Sequence, residues 1–214
     1  MVDKLIGNES AGKSSGAEAP AMTDMVFDLE ATSVSAAYPF ALWTELVRCL
    51  PWLKDENNSG ILPLRGSSSG TATLLSKRTK LILRIPVGRE KQAALLTGNI
   101  LNVDGSKLAV GKSRERPLQP ATTLHAHMVE SDLNEVNFVA EMNKQLHAMN
   151  LTCNLICDKH RSIMDKDRTI NGYGLVVHDL KPPQSLLLQR SGLGGSRHFG
   201  CGLFIPFKAI TGLE

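Results

Sequence analysis

The chain has 214 residues, 24 Lys/Arg against 21 Asp/Glu for a net charge of +3, 42% apolar side chains and only 5% aromatic ones. That content supports a core built mainly from aliphatic residues, in one large domain or two small ones. It excludes a helical membrane protein, since no long uncharged apolar run occurs, and it excludes a disulfide scaffold. No secretory leader pattern is visible, so the cytoplasm is the expected compartment, with Cys49, Cys153, Cys157 and Cys201 reduced.

Residues 1–22 are rich in Gly, Ser and Ala without periodicity and read as a disordered tail. A faint phosphate-loop pattern at 7–15 has the wrong glycine spacing and no preceding strand. Residues 25–30 alternate as a strand, and 40–50 place Leu42, Leu46, Val47 and Leu50 at helical spacing before Pro51 ends the helix. A short strand is expected at 61–64, a flexible loop at 65–70, a strand at 79–85 and a short helix at 89–96. A hairpin over 99–110 turns at Asp104-Gly105. Residues 114–120 read as a linker, after which the order restarts. Strand 122–129 is followed by a helix over 132–149 with Val136, Val139, Met142 and Leu146 on one face. Strands at 152–157 and 173–180 flank a charged stretch at 158–171; a helix at 183–193 and a last strand at 203–207 follow. Each half is β-α-β-β-α-β, which predicts an α+β fold of two tandem ferredoxin-like (RRM-like) domains, 23–116 and 121–214.

Charge is uneven along this plan. From Lys77 to Arg116 ten Lys/Arg face only Glu90, Asp104 and Glu115, whereas 23–64 holds Arg48 and Lys54 against six acids. One basic face is the footprint of a polyanion. Lys77, Arg78, Lys80, Arg84, Lys112, Arg114 and Arg116 form the main candidate set for a nucleic-acid backbone, with Arg161, Lys166 and Arg168 a second, smaller one. Near the C-terminus, two Gly-x-Gly pairs (Gly192/Gly194 and Gly200/Gly202) bracket Gly195, Arg197 and His198, and an apolar run reaches Lys208. A helix precedes this loop and a strand follows it, the reverse of a nucleotide-binding turn. Its backbone N–H groups and cations suit a phosphate backbone. Cys153-x-x-x-Cys157 lacks zinc spacing and reads as core, so no metal or cofactor is expected.

The tandem plan with this Gly-x-Gly-x5-Gly-x-Gly loop resembles the CRISPR repeat-processing endoribonucleases of the RAMP superfamily, closest to their compact Myxococcus-type variant. The segments that carry the likeness are 25–30, 50–53, 76–86, 123–129 and, most specifically, 185–208. The resemblance implies binding of the hairpin repeat of CRISPR precursor RNA and metal-independent cleavage at the hairpin base. A base would take the ribose 2′-OH proton, leaving a 2′,3′-cyclic phosphate and a 5′-OH. It also implies that the protein stays bound to the guide RNA beside other effector-complex subunits, away from membranes.

One departure bears on chemistry. Relatives commonly carry a histidine just before the first helix, where this chain reads Ser35-Ala36-Ala37-Tyr38, with Ala36 at the histidine position. Alanine transfers no proton. Either the chain binds without cutting, or Tyr38 or a histidine from elsewhere, such as His127, takes the role, or the site lies at another position. A binding module that caps a guide-RNA complex is the alternative to an enzyme. A small-molecule enzyme is a third reading, without a nucleophile–base pair to support it. His125 and His127 share a strand face, while His147, His160 and His178 read as structural or solvated.

Overall fold

The computed structural model describes residues 20–207. Apolar alternation in Met22–Glu30 (β1) puts Met25, Phe27 and Leu29 on one side, against Leu81, Leu83 and Ile85 of Lys80–Pro86 (β6) and the buried stripe of helix Tyr38–Cys49 (α1). Leu42 and Leu46 supply that stripe, and Leu50, where the helix ends, adds to it. Between β1 and β6 lie Ser33–Ser35 (β2), Gly60–Leu62 (β3), Gly66–Ser69 (β4) and Ala72–Leu75 (β5). After β6 come the single turn Glu90–Ala93 (α2), extended as a 3-10 turn to Leu96, and strands Ile100–Val103 (β7) and Ser106–Pro117 (β8). The turn between β7 and β8 uses Asp104 and Gly105, both at positive φ, as the sequence predicts.

The first sheet is ordered β3-β6-β1-β8-β7 with antiparallel neighbours. The second half comprises Leu124–Glu130 (β9), Glu135–Ala148 (α3), Asn154–Asp165 (β10), Arg168–His178 (β11), Pro182–Ser191 (α4) and Phe204–Pro206 (β12), in sheet order β10-β11-β9-β12. Setting aside β7 and the small sheet β2-β5-β4, both halves follow the ferredoxin-like order in which each half's first strand lies between its third and fourth. A third cluster joins the halves: Phe40 of α1 meets Met128 of β9, Ile170 of β11 and Cys201.

Four local expectations are corrected. Residues 65–70 are not a free loop: Gly66–Ser69 pairs with Ala72–Leu75 around Gly70, whose positive φ makes the turn. The expected linker begins later, because β8 runs to Pro117 alongside β1. The charged stretch 158–171 is a hairpin, since β10 and β11 continue in register to Asp165↔Arg168 with Lys166 and Asp167 at the turn. Its outer part buries only the cross-strand pair Ile163 and Ile170 among polar neighbours, so hydrophobic periodicity gives little signal there. In α3, Val136 is 79% exposed and Phe138 fills the core instead; the helix starts after Asn134, whose side chain accepts from the Asn137 amide. The tail expected over 1–22 lies outside the described residues as far as 19, and Met22 already belongs to β1.

Candidate nucleic-acid interface

The side of the first sheet away from its helices carries charge in rows fixed by strand register. Arg84, Asp24 and Arg116 lie side by side across β6, β1 and β8, as do Ile82, Val26 and Arg114. Lys80 stands beside Asp28. Alternation along β8 keeps Lys112, Arg114 and Arg116 on this one face, and all three are exposed. Lys80 binds Asp28 at 2.9 Å. That contact first, then the charges of Arg114 and Lys112, holds the Asp28 carboxyl below its ordinary pKa. One carboxylate among three cations leaves a net positive strip. Lys77 and Arg78 are exposed at the turn before β6.

Arg84 does not belong to that strip, contrary to expectation. It is 0% exposed, and its guanidinium grips Asp24 (Nε to Oδ1 2.8 Å) and donates to the carbonyls of Gln189 (3.1 Å) and Phe204 (2.7 Å). It therefore pins the first sheet to α4 and β12. Arg116 bonds the other side of Asp24 at 2.8 Å while keeping 47% of its side chain exposed. Asp24 is the functional residue that sequence reading passed over. Nothing in the local pattern separates it from Asp28 in the same strand, which stays half-open to solvent.

The glycine loop is corrected in the same way. Arg197 is only 8% exposed and donates to the carbonyls of Asn58 and Arg190, both at 3.3 Å. Burial first, then the Arg84 charge, pushes its guanidinium down to about 10, still cationic at neutral pH. The His198 ring stacks on Trp43 (centroids 4.3 Å apart, 14° between planes). Burial lowers its pKa, with a bond to the Glu56 carbonyl opposing and the Arg197 charge adding to the fall. A side chain at Gly202 would strike the Leu193 carbonyl, and Gly202 also has positive φ, so this glycine closes the loop by close approach. The Gly202 amide bonds Met128 in β9 at 2.8 Å. The loop is thus a plug between the halves, with the Arg197 guanidinium turned to protein carbonyls rather than to solvent. Gly194 and Gly195 form its exposed tip, yet a side chain at Gly195 would meet the Glu130 carboxylate, a poor neighbour for phosphate. Lys208 lies outside the described residues.

At the expected catalytic position, Ala36 is exposed in the turn between β2 and α1, its amide bonded to the Thr71 carbonyl at 2.8 Å. The Tyr38 phenol faces the interior. Its hydroxyl accepts from the buried Leu64 amide at 2.8 Å, and burial pushes its pKa up to about 12. His127 immediately precedes Met128, which packs on Phe40 in the first turn of α1. His127 is exposed on β9, and partial desolvation by its neighbours first, then the charges of Arg161 and His125, holds it below the usual histidine pKa, so it is a neutral imidazole at pH 7. Arg161 is tied to Asp158 at 2.9 Å. Arg168 lines a hollow of about 400 Å³ with Phe40, Trp43, Asp104, Asp165 and Asp167, where carboxylates outnumber it. Among the described residues no cluster of three or more His, Cys, Asp or Glu side chains could hold a metal, and no helix is long and apolar enough to cross a membrane.

Two ferredoxin-like sheets, an inter-sheet glycine plug and an exposed basic strip define a tandem ferredoxin-like protein with a face suited to a polyanion. The Cas6 Crispr family model matches residues 23–209, and the chain belongs to that family. It is 30% identical over 185 residues to the CRISPR-associated endonuclease Cas6 of Myxococcus xanthus (strain DK1622), covering 86% of this chain and 80% of that protein. Among solved structures it is similar to a CRISPR-associated protein Cas6 (TM-score 0.61, 11% identity, 87% of this chain and 100% of the other). It is also similar to the CRISPR endoribonuclease Cse3 bound to a 19-nucleotide RNA (TM-score 0.51, 14% identity, 87% of this chain and 98% of the other). At these identities the structural likeness speaks to fold alone.

Proposed function

We propose that this chain binds the hairpin repeat of CRISPR precursor RNA along the strip formed by Lys80, Lys112, Arg114 and Arg116, with Lys77 and Arg78 at its end. In this reading it stays on the guide RNA as a subunit of an effector complex, and the halves 23–116 and 121–214 act as two domains. The observation that carries the reading is that Lys112, Arg114 and Arg116 are exposed, with Lys80 half-exposed beside them, on a sheet face whose other cation, Arg84, is fully consumed by protein. Duplex RNA is gripped largely through phosphates and shape, which needs cations at fixed spacing more than base contacts. Self-cleavage of the repeat is disabled, because a methyl group stands at position 36 and the only nearby phenol, Tyr38, is spent on the Leu64 amide.

A second reading rests on His127, an exposed imidazole on β9 that is neutral at pH 7 and can accept a 2′-OH proton, as a weaker base than a free histidine because its pKa is lowered. Incubation with cognate repeat RNA in EDTA separates the two. Binding without products, with Ala36→His raising the cleavage rate about a hundredfold or more, supports the first. Cleavage by the natural chain that His127→Gln abolishes supports the second. Binding that no substitution at either position converts to cleavage supports a purely capping subunit.

A further inference from the structure

The small sheet β2-β5-β4 is absorbed by neither ferredoxin-like sheet, and its edge strand β4 has no strand partner on its outer side among the described residues. Every residue of β4 is exposed, and half of the main-chain N–H and C=O groups of such an edge point at solvent. Register places Ser33, Leu74 and Ser67 in one row across the sheet and Ser35, Ala72 and Ser69 in the next, so four seryl side chains lie on one face. The two ends of the hairpin differ. At its base the Thr79 hydroxyl donates to the Arg65 carbonyl at 2.8 Å and accepts from the Ser76 amide at 3.0 Å. That single side chain ties the 76–79 turn to the start of β4 and gathers Arg65, Lys77 and Arg78, all exposed, at one end. At the tip, Thr71 accepts from the Ala36 amide. No Asp or Glu occurs anywhere from Asn57 to Arg89.

We infer that the free edge of β4 is a backbone-binding rail. It seats the ribose–phosphate chain of the RNA between the Arg65/Lys77/Arg78 cluster and position 36, with Ser67 and Ser69 hydroxyls and edge amides as donors. The inference rests on the RNA-binding reading above and adds an element outside the basic strip. A protein β-strand could also add to a free edge. The run without carboxylates and the three gathered cations favour a polyanion over a neutral peptide. The rail's four residues span about 13 Å, enough to direct a strand toward position 36 rather than merely to attract it.

The test places two carboxylates on the rail, Ser67→Asp with Ser69→Asp, both at exposed sites that the fold tolerates. The control makes the same charge change on the exposed side of α3, Val136→Asp with Asn137→Asp. Binding of cognate repeat RNA is measured at 0.1 M salt, together with thermal melting. The rail variant is expected to bind about tenfold or more weakly, the control to bind as the natural chain does, and both to melt as it does. A photo-reactive benzoylphenylalanine at Ser68 is expected to cross-link to the RNA. Equal binding by the rail variant and the control, or a cross-link only to protein, overturns the rail while leaving the RNA reading intact. A natural chain that does not bind repeat RNA overturns both.

Discussion

Arg84 and Arg114 sit two residues from each other's rows on the same sheet face, yet they do opposite jobs. Arg84 is sealed from water with a carboxylate and two carbonyls around it, while Arg114 is exposed and has no ion-pair partner among the described residues. The same contrast separates Arg197, inside the glycine plug, from Lys77 and Arg78 at a solvent turn. A buried guanidinium is committed to geometry, because breaking its contacts strands charge in a poorly polarisable interior. An exposed one retains its water and can exchange it for phosphate. The lesson is that a basic footprint has to be sorted by burial before it is read as an interface.

Substitutions can break this contrast at either end. Arg84→Ala should cost about 3–5 kcal/mol by leaving Asp24 buried without its main partner, seen as a lower midpoint in urea unfolding. An unchanged midpoint would mean that the inter-sheet pin is not structural. Gly202→Ala forces a side chain into a left-handed turn and toward the Leu193 carbonyl, with an expected cost of about 1–3 kcal/mol in the same measurement. On the exposed side, Lys112→Ala and Arg114→Ala should leave the unfolding midpoint unchanged. Each should reduce the slope of log affinity for repeat RNA against log salt by about 1; an unchanged slope would remove these residues from the interface.

The smallest effect sharpens the account of His127. Its folded pKa lies below the unfolded value of about 6.5. In the window below about 6.5 the unfolded chain therefore binds the extra proton, and stability rises with pH there and is lost as pH falls. His127→Gln should flatten the stability slope between pH 4 and 6.5 in denaturant titrations. A slope identical to that of the natural chain would show that the ring is not desolvated.

Much of the architecture was legible because it is written in short periods. The alternation of 25–30 and 79–85, the helical spacing of Leu42 and Leu46, and Asp104-Gly105 at a hairpin all report local geometry, and the structure has each of them. What escaped reading has almost no apolar face: β4 is exposed throughout, with only Leu75 of β5 reaching the first core, and the outer part of β10–β11 buries only Ile163 and Ile170, too little for a periodic pattern to separate strand from loop. The basic strip was half legible. Lys112, Arg114 and Arg116 alternate on one strand, but nothing near Arg84 in the chain says that it is taken.

By itself the amino-acid sequence determined the two β-α-β-β-α-β halves, the glycines that close the C-terminal plug, the alanine at position 36 and the pool of cations from which an interface is drawn. The tertiary structure alone decided which cations remain free. Arg84 meets carbonyls 105 and 120 residues away, and Arg197 one 139 residues away. Burial is a property of how the halves close on each other, so no local pattern could have revealed it.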